Sequence, residues 1–220
     1  MAGVDGFRGR WLVATVEGRS VRFAVAVGAG AVLGVTARCR VVAVDVPMGL
    51  AVDGVRSCEQ QARDELGSAR SSIFPTPPRS VLGHVTDWVG ASAAARAASG
   101  KGISKQSFHI LPGIKAFDTA TFDRERVVET HPELSFRAMT GPEVTFVSKK
   151  TARGQGQRIA ALSAWCDIDE ALREVPDGPA MDDVLDAVAC AWSARRWAER
   201  DARVLGGELD PLGKPMRIVI

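Results

Sequence analysis

The chain has 220 residues, 46% hydrophobic and 25% charged, which fits a globular protein and excludes a disordered or fibrous one. At this length one core buries roughly 70–75% of the unfolded surface, so a single α/β domain needs no disulfide or metal staple. Lys plus Arg number 28 against 26 Asp plus Glu, and the resulting +2 excludes a protein held on nucleic acid by bulk charge. Any phosphate binding has to come from local clusters.

The longest charge-free stretch, Phe23 to Ala37, is Gly-rich and shorter than the ~18–20 residues of a membrane span. The start Met-Ala-Gly-Val-Asp lacks the basic-then-apolar pattern of an export signal, so a cytoplasmic location without membrane attachment is expected. Cys39, Cys58, Cys166 and Cys190 show no C-x-x-C spacing and do not pair with the histidines as zinc ligands, so all four read as reduced thiols.

Gly3–Val16 reads as a first strand, and a turn at Glu17-Gly18-Arg19 leads to a second, Ser20–Val27. Gly28–Thr36 fits a third strand or a short helix. The apolar run Arg40–Pro47 reads as a strand buried on both faces and stopped by proline, with Asp45 at its C-terminal end. Ser57–Leu66 is helical, with Ser57-x-x-Gln60 as a capping box and Gly67 as its stop. The prolines of Ser71–Pro78 demand an ordered loop. Ala91–Ser99 ends at Gly100, and Ser104–Thr119 is a helical candidate interrupted by Pro112.

Arg126–Thr130 is a short strand, and Pro132 is placed to open the next helix. Gly154–Trp165 is helical, and Asp167-x-x-Glu170 caps a shorter helix. The longest helix, Asp182–Arg200, carries the stripe Val184, Leu185, Val188, Ala189, Trp192 and Trp197. Met216–Ile220 reads as a short edge strand. The expectation is one domain over residues 1–220, with a helical and looped insertion at about 50–120.

Acids sit where apolar neighbours hold them rigidly. Asp5 interrupts the first strand, Asp45 and Glu129 end theirs, and Asp183 and Asp186 are three apart on the last helix. A carboxylate embedded in a core is costly unless it is paired or binds a cation. Several converging acids are the need of two-metal phosphodiester hydrolysis, where Mg²⁺ or Mn²⁺ ions about 4 Å apart activate water and stabilise the leaving oxygen. Simpler roles compete: Asp5 beside Gly6 as a turn residue, Asp45 as a loop cap, Glu129 paired with Arg124 or Arg126, and Asp182 and Asp183 favouring the helix dipole.

Gly-Val-Asp-Gly-Phe-Arg-Gly-Arg-Trp at 3–11, Asp-Val-Pro-Met-Gly-Leu at 45–50, Ala-Arg-Asp-Glu-Leu-Gly with Ser-Ser-Ile-Phe-Pro-Thr-Pro at 62–77, Glu-Thr-His-Pro-Glu-x-Ser-Phe at 129–136 and Asp-Asp-Val-Leu-Asp-Ala at 182–187 follow in order along nearly the whole chain. Together they resemble the domain-of-unknown-function 429 family, described as predicted nucleases of the ribonuclease H fold. The resemblance implies a five-stranded mixed sheet opening with three antiparallel strands, flanked by helices, with an acidic cluster at its centre. Asp183-Val-Leu-Asp186-Ala187 is similar to the helix motif of junction-resolving members of that fold. Carried over, Asp5 is the central metal bridge, Asp45 the second-strand acid and Asp186 the helix acid, with Asp183 assisting. Glu129 has no firm counterpart, because its strand comes later than the usual second acid.

Three acid-free stretches gather positive charge: Leu66–Thr86 with Arg70 and Arg79, Trp88–Phe117 with Arg96, Lys101, Lys105 and Lys115, and Val144–Cys166 with Lys149, Lys150, Arg153 and Arg158. Each is a solvated face or a guide for a phosphate backbone. Lys149–Gly154 at a helix start adds amide donors, and Arg8, Ser104 and Gln106 are further candidate substrate contacts. His131 is a proton shuttle or a locally bonded helix-start residue.

The preferred reading is a Mg²⁺- or Mn²⁺-dependent nuclease acting on DNA, RNA or a junction, with a homodimer left open. The alternative is a non-catalytic nucleic-acid-binding or protein-interaction module on the same fold. An actin-like or sugar-kinase ATPase is disfavoured, because Phe7-Arg8-Gly9 replaces its phosphate-loop Thr or Ser and no G-x-x-x-x-G-K loop is present.

Overall fold

The computed structural model describes residues 1–53 and 55–220. In chain order its strands and α-helices are β1 (Ala2–Phe7), β2 (Arg10–Glu17), β3 (Ser20–Ala26), α1 (Gly28–Val35), β4 (Val42–Val44), α2 (Ser57–Leu66), α3 (Trp88–Ser99), α4 (Lys105–Thr119), β5 (Val127–Glu129), α5 (Pro132–Thr140), α6 (Ala152–Ser163), α7 (Ile168–Ala171), α8 (Met181–Glu199), β6 (Val204–Leu209) and β7 (Pro215–Val219). They fall into two compact units: Met1–Asp45, Glu125–Arg203 and Val219–Ile220 form the first, and Val46–Arg124 with Val204–Ile218 form the second.

The first unit is built on a five-stranded mixed sheet in the order β3-β2-β1-β4-β5. β1, β2 and β3 are antiparallel, and β4 and β5 join in parallel. The stretch expected as one opening strand is a hairpin, because Arg8 and Gly9 both take positive φ, 46° and 75°, as a two-residue type I′ turn requires. Arginine is an uncommon residue at such a φ, so the turn carries no Asn-Gly signal. Gly28–Thr36 resolves as helix α1: Gly28 leaves the strand with φ 76°, and only Ala29 and Val32, three apart, are buried.

Leu12, Ala14 and Val16 of β2 share a core with Phe136, Leu162, Ile168 and the Val184, Leu185 and Val188 side of α8. Val41, Ala43 and Val128 pack on Cys190, Ala194 and Ala198 of the same helix. α8 lies directly against β1 because Gly3 has no side chain; a Cβ there would stand 2.1 Å from both Ala187 O and Ala191 N.

The second unit holds α2, α3, α4, two 3₁₀ turns and most of the β6–β7 hairpin. α2 starts where expected, but without the capping box: Arg56 is its N-cap and makes no side-chain cap bond. Ser57 instead donates its N–H and Oγ–H to Glu208, at 3.0 and 2.6 Å, so an acid from β6 satisfies the helix terminus. α4 runs unbroken through Pro112, whose fixed φ suits a helix even though it removes one donor. The C-terminal strand pairs with β6 in a separate two-stranded sheet rather than edging the main one. Among the described residues the four cysteines are unbridged, and no helix is long and apolar enough to cross a membrane.

Candidate functional site

Parallel register builds the site. Val4 pairs with Val44, and the Asp45 N–H donates to Val4 O at 2.9 Å, so the next residues, Asp5 and Asp45, lie side by side. Asp5 is two residues beyond Gly3 and so shares its α8-facing side of the sheet. On α8, Asp186 directly precedes Ala187, whose carbonyl closes on Gly3. Three carboxylates from three elements thereby converge, with Asp5 and Asp186 buried at 7% and 1% exposure.

Their electrostatics follow from that crowding. Burial first, then the charges of Asp186 and Asp45, push the Asp5 carboxyl well above its ordinary range. Burial raises Asp45 to about 6, against the pull of Lys149 and a hydrogen bond from Asp5. Burial also raises Asp186 to about 7, with Lys149 opposing. Like charges crowded into a buried site oppose one another's ionisation, which adds to the effect of burial on Asp5.

One ammonium enters the cluster. Lys149 Nζ donates to Asp186 Oδ2, and its own pKa is raised by Asp186, Asp5 and Asp45 despite burial. The other Asp186 oxygen, Oδ1, is buried with no hydrogen-bond partner. Glu133 of α5 adds negative charge facing Asp45 and Asp186. It is held by Arg158, which donates to both its oxygens at 2.7 Å and lies over the rings of Phe136 and Phe146. Cys190, one turn beyond Asp186, backs the cluster, and burial beside these acids pushes its thiol well up.

Among the described residues no group of three or more His, Cys, Asp or Glu side chains stands in a metal-holding arrangement. The donor chemistry nevertheless fits a hard divalent cation: the converging groups are carboxylate oxygens, one is unpartnered, and their raised pKa values mark protons that a cation would displace. Asp5, Asp45 and Asp186 are the residues able to hold it.

The remaining expected site residues are distributed differently. Asp183 accepts the Ala180 N–H at 2.8 Å, which caps α8, and reaches the cluster only through its charge on Asp5. Glu129 is buried, but Val128 packs on α8, so strand alternation turns Glu129 to the opposite face of the sheet from Asp5 and Asp45. His131 lies beyond β5 as the N-cap of α5, and its carbonyl accepts from Leu134 and Ser135.

Lys150 pairs with Asp182. Arg8 and Arg153 are exposed in the first unit. The Lys149–Gly154 helix start is closed by Thr151 Oγ1, which accepts the Gly154 N–H at 3.1 Å. In the second unit Arg70, Lys101, Lys105 and Gln106 are exposed and Ser104 caps α4. Arg79 is committed to Asp118 and Asp210, an ion pairing that takes it out of the group of open cations.

A family model, that of proteins of unknown function designated DUF429, matches residues 3–210. The chain belongs to that family. Searches of curated proteins and of solved structures found no match. In this DUF429 member the matched span contains every member of the cluster, from Asp5 to Asp186. Sequence reasoning passed over Glu133 and the inward role of Arg158. The only available signal for Glu133 was its place in Glu-Thr-His-Pro-Glu, where Pro132 opens a helix and puts the acid in its first turn.

Proposed function

We propose that this protein is a metal-dependent nuclease of ribonuclease H-like architecture that hydrolyses phosphodiester bonds in DNA, RNA or a junction. One observation carries the reading: Asp5, Asp45 and Asp186 reach one buried point from two parallel strands and a helix, with too few donors to neutralise them. The strand order, three antiparallel strands followed by two parallel ones, supports the architecture.

Mg²⁺ or Mn²⁺ bound there would supply water activated near neutral pH and charge neutralisation at the leaving oxygen. Asp5, which feels the charges of both Asp186 and Asp45, would hold the ion together with these two acids. Burial favours the protonated forms of these acids, so uptake of a cation would release protons and would strengthen as pH rises. Glu133, clamped by Arg158, biases the site toward cations. Exposed Arg8 and Arg153 lend positive charge in the same unit for a phosphate backbone.

The test is cleavage of labelled DNA and RNA by purified Asp5→Asn and Asp186→Asn variants with Mn²⁺. Both are expected to lose cleavage while keeping cooperative unfolding. Cleavage at wild-type rates by both overturns the assignment. The Lys149–Asp186 pair favours a second reading, in which lysine neutralises the cluster permanently and the protein is a non-catalytic nucleic-acid-binding or protein-interaction module. A calorimetric titration in which the wild type takes up no Mn²⁺ decides for that reading.

A further inference from the structure

Residues 141–150 join α5 to α6 without regular secondary structure and bring two successive lysines to α8. Lys149 Nζ reaches Asp186, and Lys150 Nζ reaches Asp182, one helical turn earlier. The backbone that delivers them is secured independently of either ammonium. Gln157 accepts the Val147 N–H at 2.9 Å and donates to Thr145 O at 3.1 Å, and Arg158 donates to Val147 O at 3.0 Å. Gly154 lets α6 approach this segment closely, since a Cβ there would stand 2.1 Å from Ser148 O. The backbone is therefore fixed while the ammonium hangs on a flexible four-carbon stem.

The ends of the Lys149–Asp186 pair differ in exposure: the lysine side chain is 35% exposed and the aspartate 2%. The ammonium thus enters the carboxylates from the solvent side and has a way out. Three carboxylates, with Glu133 behind them, face this one cation, and Asp186 Oδ1 is left buried without a donor. A lysine covers one oxygen of a site whose charge calls for more.

We propose that Lys149 is an exchangeable counter-cation of the Asp5–Asp45–Asp186 cluster, displaced toward solvent when a divalent cation binds, while Gln157 and Arg158 keep the segment's backbone in place. The inference rests on reading the cluster as a metal centre. It makes cation affinity a property of this segment as well as of the carboxylates, because each divalent ion has to compete with a tethered ammonium.

The experiment is calorimetric titration of the full chain with Mn²⁺ alone, for wild type, Lys149→Met and Lys150→Met, beside thermal unfolding of each at pH 8. Lys149→Met is expected to bind Mn²⁺ roughly tenfold or more tightly than wild type, since the competing buried charge is gone. Without metal it melts below wild type, and saturating Mn²⁺ removes most of that difference, because the pair is broken in both bound forms. Lys150→Met keeps wild-type affinity to within about threefold, as a rim ion pair should. Binding by Lys149→Met where wild type shows none overturns the exchange, because the lysine then holds the carboxylates permanently.

Equal or weaker binding by Lys149→Met, with wild type binding, overturns the exchange and leaves the metal reading standing. No binding by any of the three overturns both. Should Lys149→Met not fold, amine labelling of the wild type followed by mass spectrometry answers the same question. Saturating Mn²⁺ is expected to raise labelling of Lys149 severalfold, and unchanged labelling with bound Mn²⁺ overturns the exchange.

Discussion

Buried carboxylates occur in both units, but with opposite electrostatic outcomes. In the second unit every oxygen of Asp210 has donors: Oδ2 accepts the Leu50 N–H at 3.0 Å and Arg79, and Oδ1 accepts the Leu212 and Lys214 N–H groups at 2.8 and 2.9 Å. Asp118 likewise accepts from Arg79 and from Lys214 Nζ. Burial alone would raise both acids, yet these hydrogen bonds and charges hold them below their ordinary values. In the first unit Asp5, Asp45 and Asp186 are raised, because burial adds to mutual repulsion and one ammonium is the main relief. Burial alone does not set the electrostatic state of a carboxylate; the supply of donors does.

The largest effect that would sharpen this contrast comes from Asp210→Ala, which leaves three backbone N–H groups without their acceptor and removes one of the two carboxylates on Arg79. It is expected to cost about 3–5 kcal/mol in urea unfolding, whereas Asp5→Asn at pH 8 should stabilise the metal-free protein by relieving repulsion. Equal destabilisation by both breaks the comparison. Gly3→Ala should cost about 3 kcal/mol through overpacking against α8 and weaken Mn²⁺ binding by shifting Asp186 from Asp5; calorimetry and unfolding together check it.

The two regions also carry opposite pH signatures. Burial pushes Asp45 up to about 6 and Asp186 up to about 7 from an ordinary 3.8, so the stability they contribute is complete below pH 3.8 and is lost as pH rises through 6 to 7. Asp118 and Asp210 are lowered instead, so their contribution is present above 3.8 and disappears as pH falls below it. Unfolding measured from pH 3 to 9 should show both limbs, and Asp5→Asn should flatten the upper one. The smallest effect is Ser57→Ala, about 1 kcal/mol for the lost bond to Glu208, with Mn²⁺ affinity unchanged.

Most elements were legible because their signals are local. Gly67 after Leu66 stops a helix whatever it packs on, and Pro132 opens α5 because its missing N–H is not needed there, whereas β4 ends at Val44, three residues before the proline expected to stop it. The Arg8-Gly9 turn was not legible, since a positive φ at arginine depends on the hairpin around it. The Ser57 capping box failed for a related reason: Glu208, far along the chain, supplies the acceptor that the local pattern assigned elsewhere.

For the site, the sequence by itself determined which acids stand at strand ends and on the last helix, because the spacing of apolar residues sets those positions. Only the tertiary structure decided which of them meet. Parallel register joins Asp5 to Asp45, and the close approach at Gly3 brings in Asp186. A one-residue alternation turns Glu129 to the other face, and α6 aims Lys149 inward. Register, alternation and helix-to-strand distance are set by contacts between residues far apart in the chain, which no local pattern encodes.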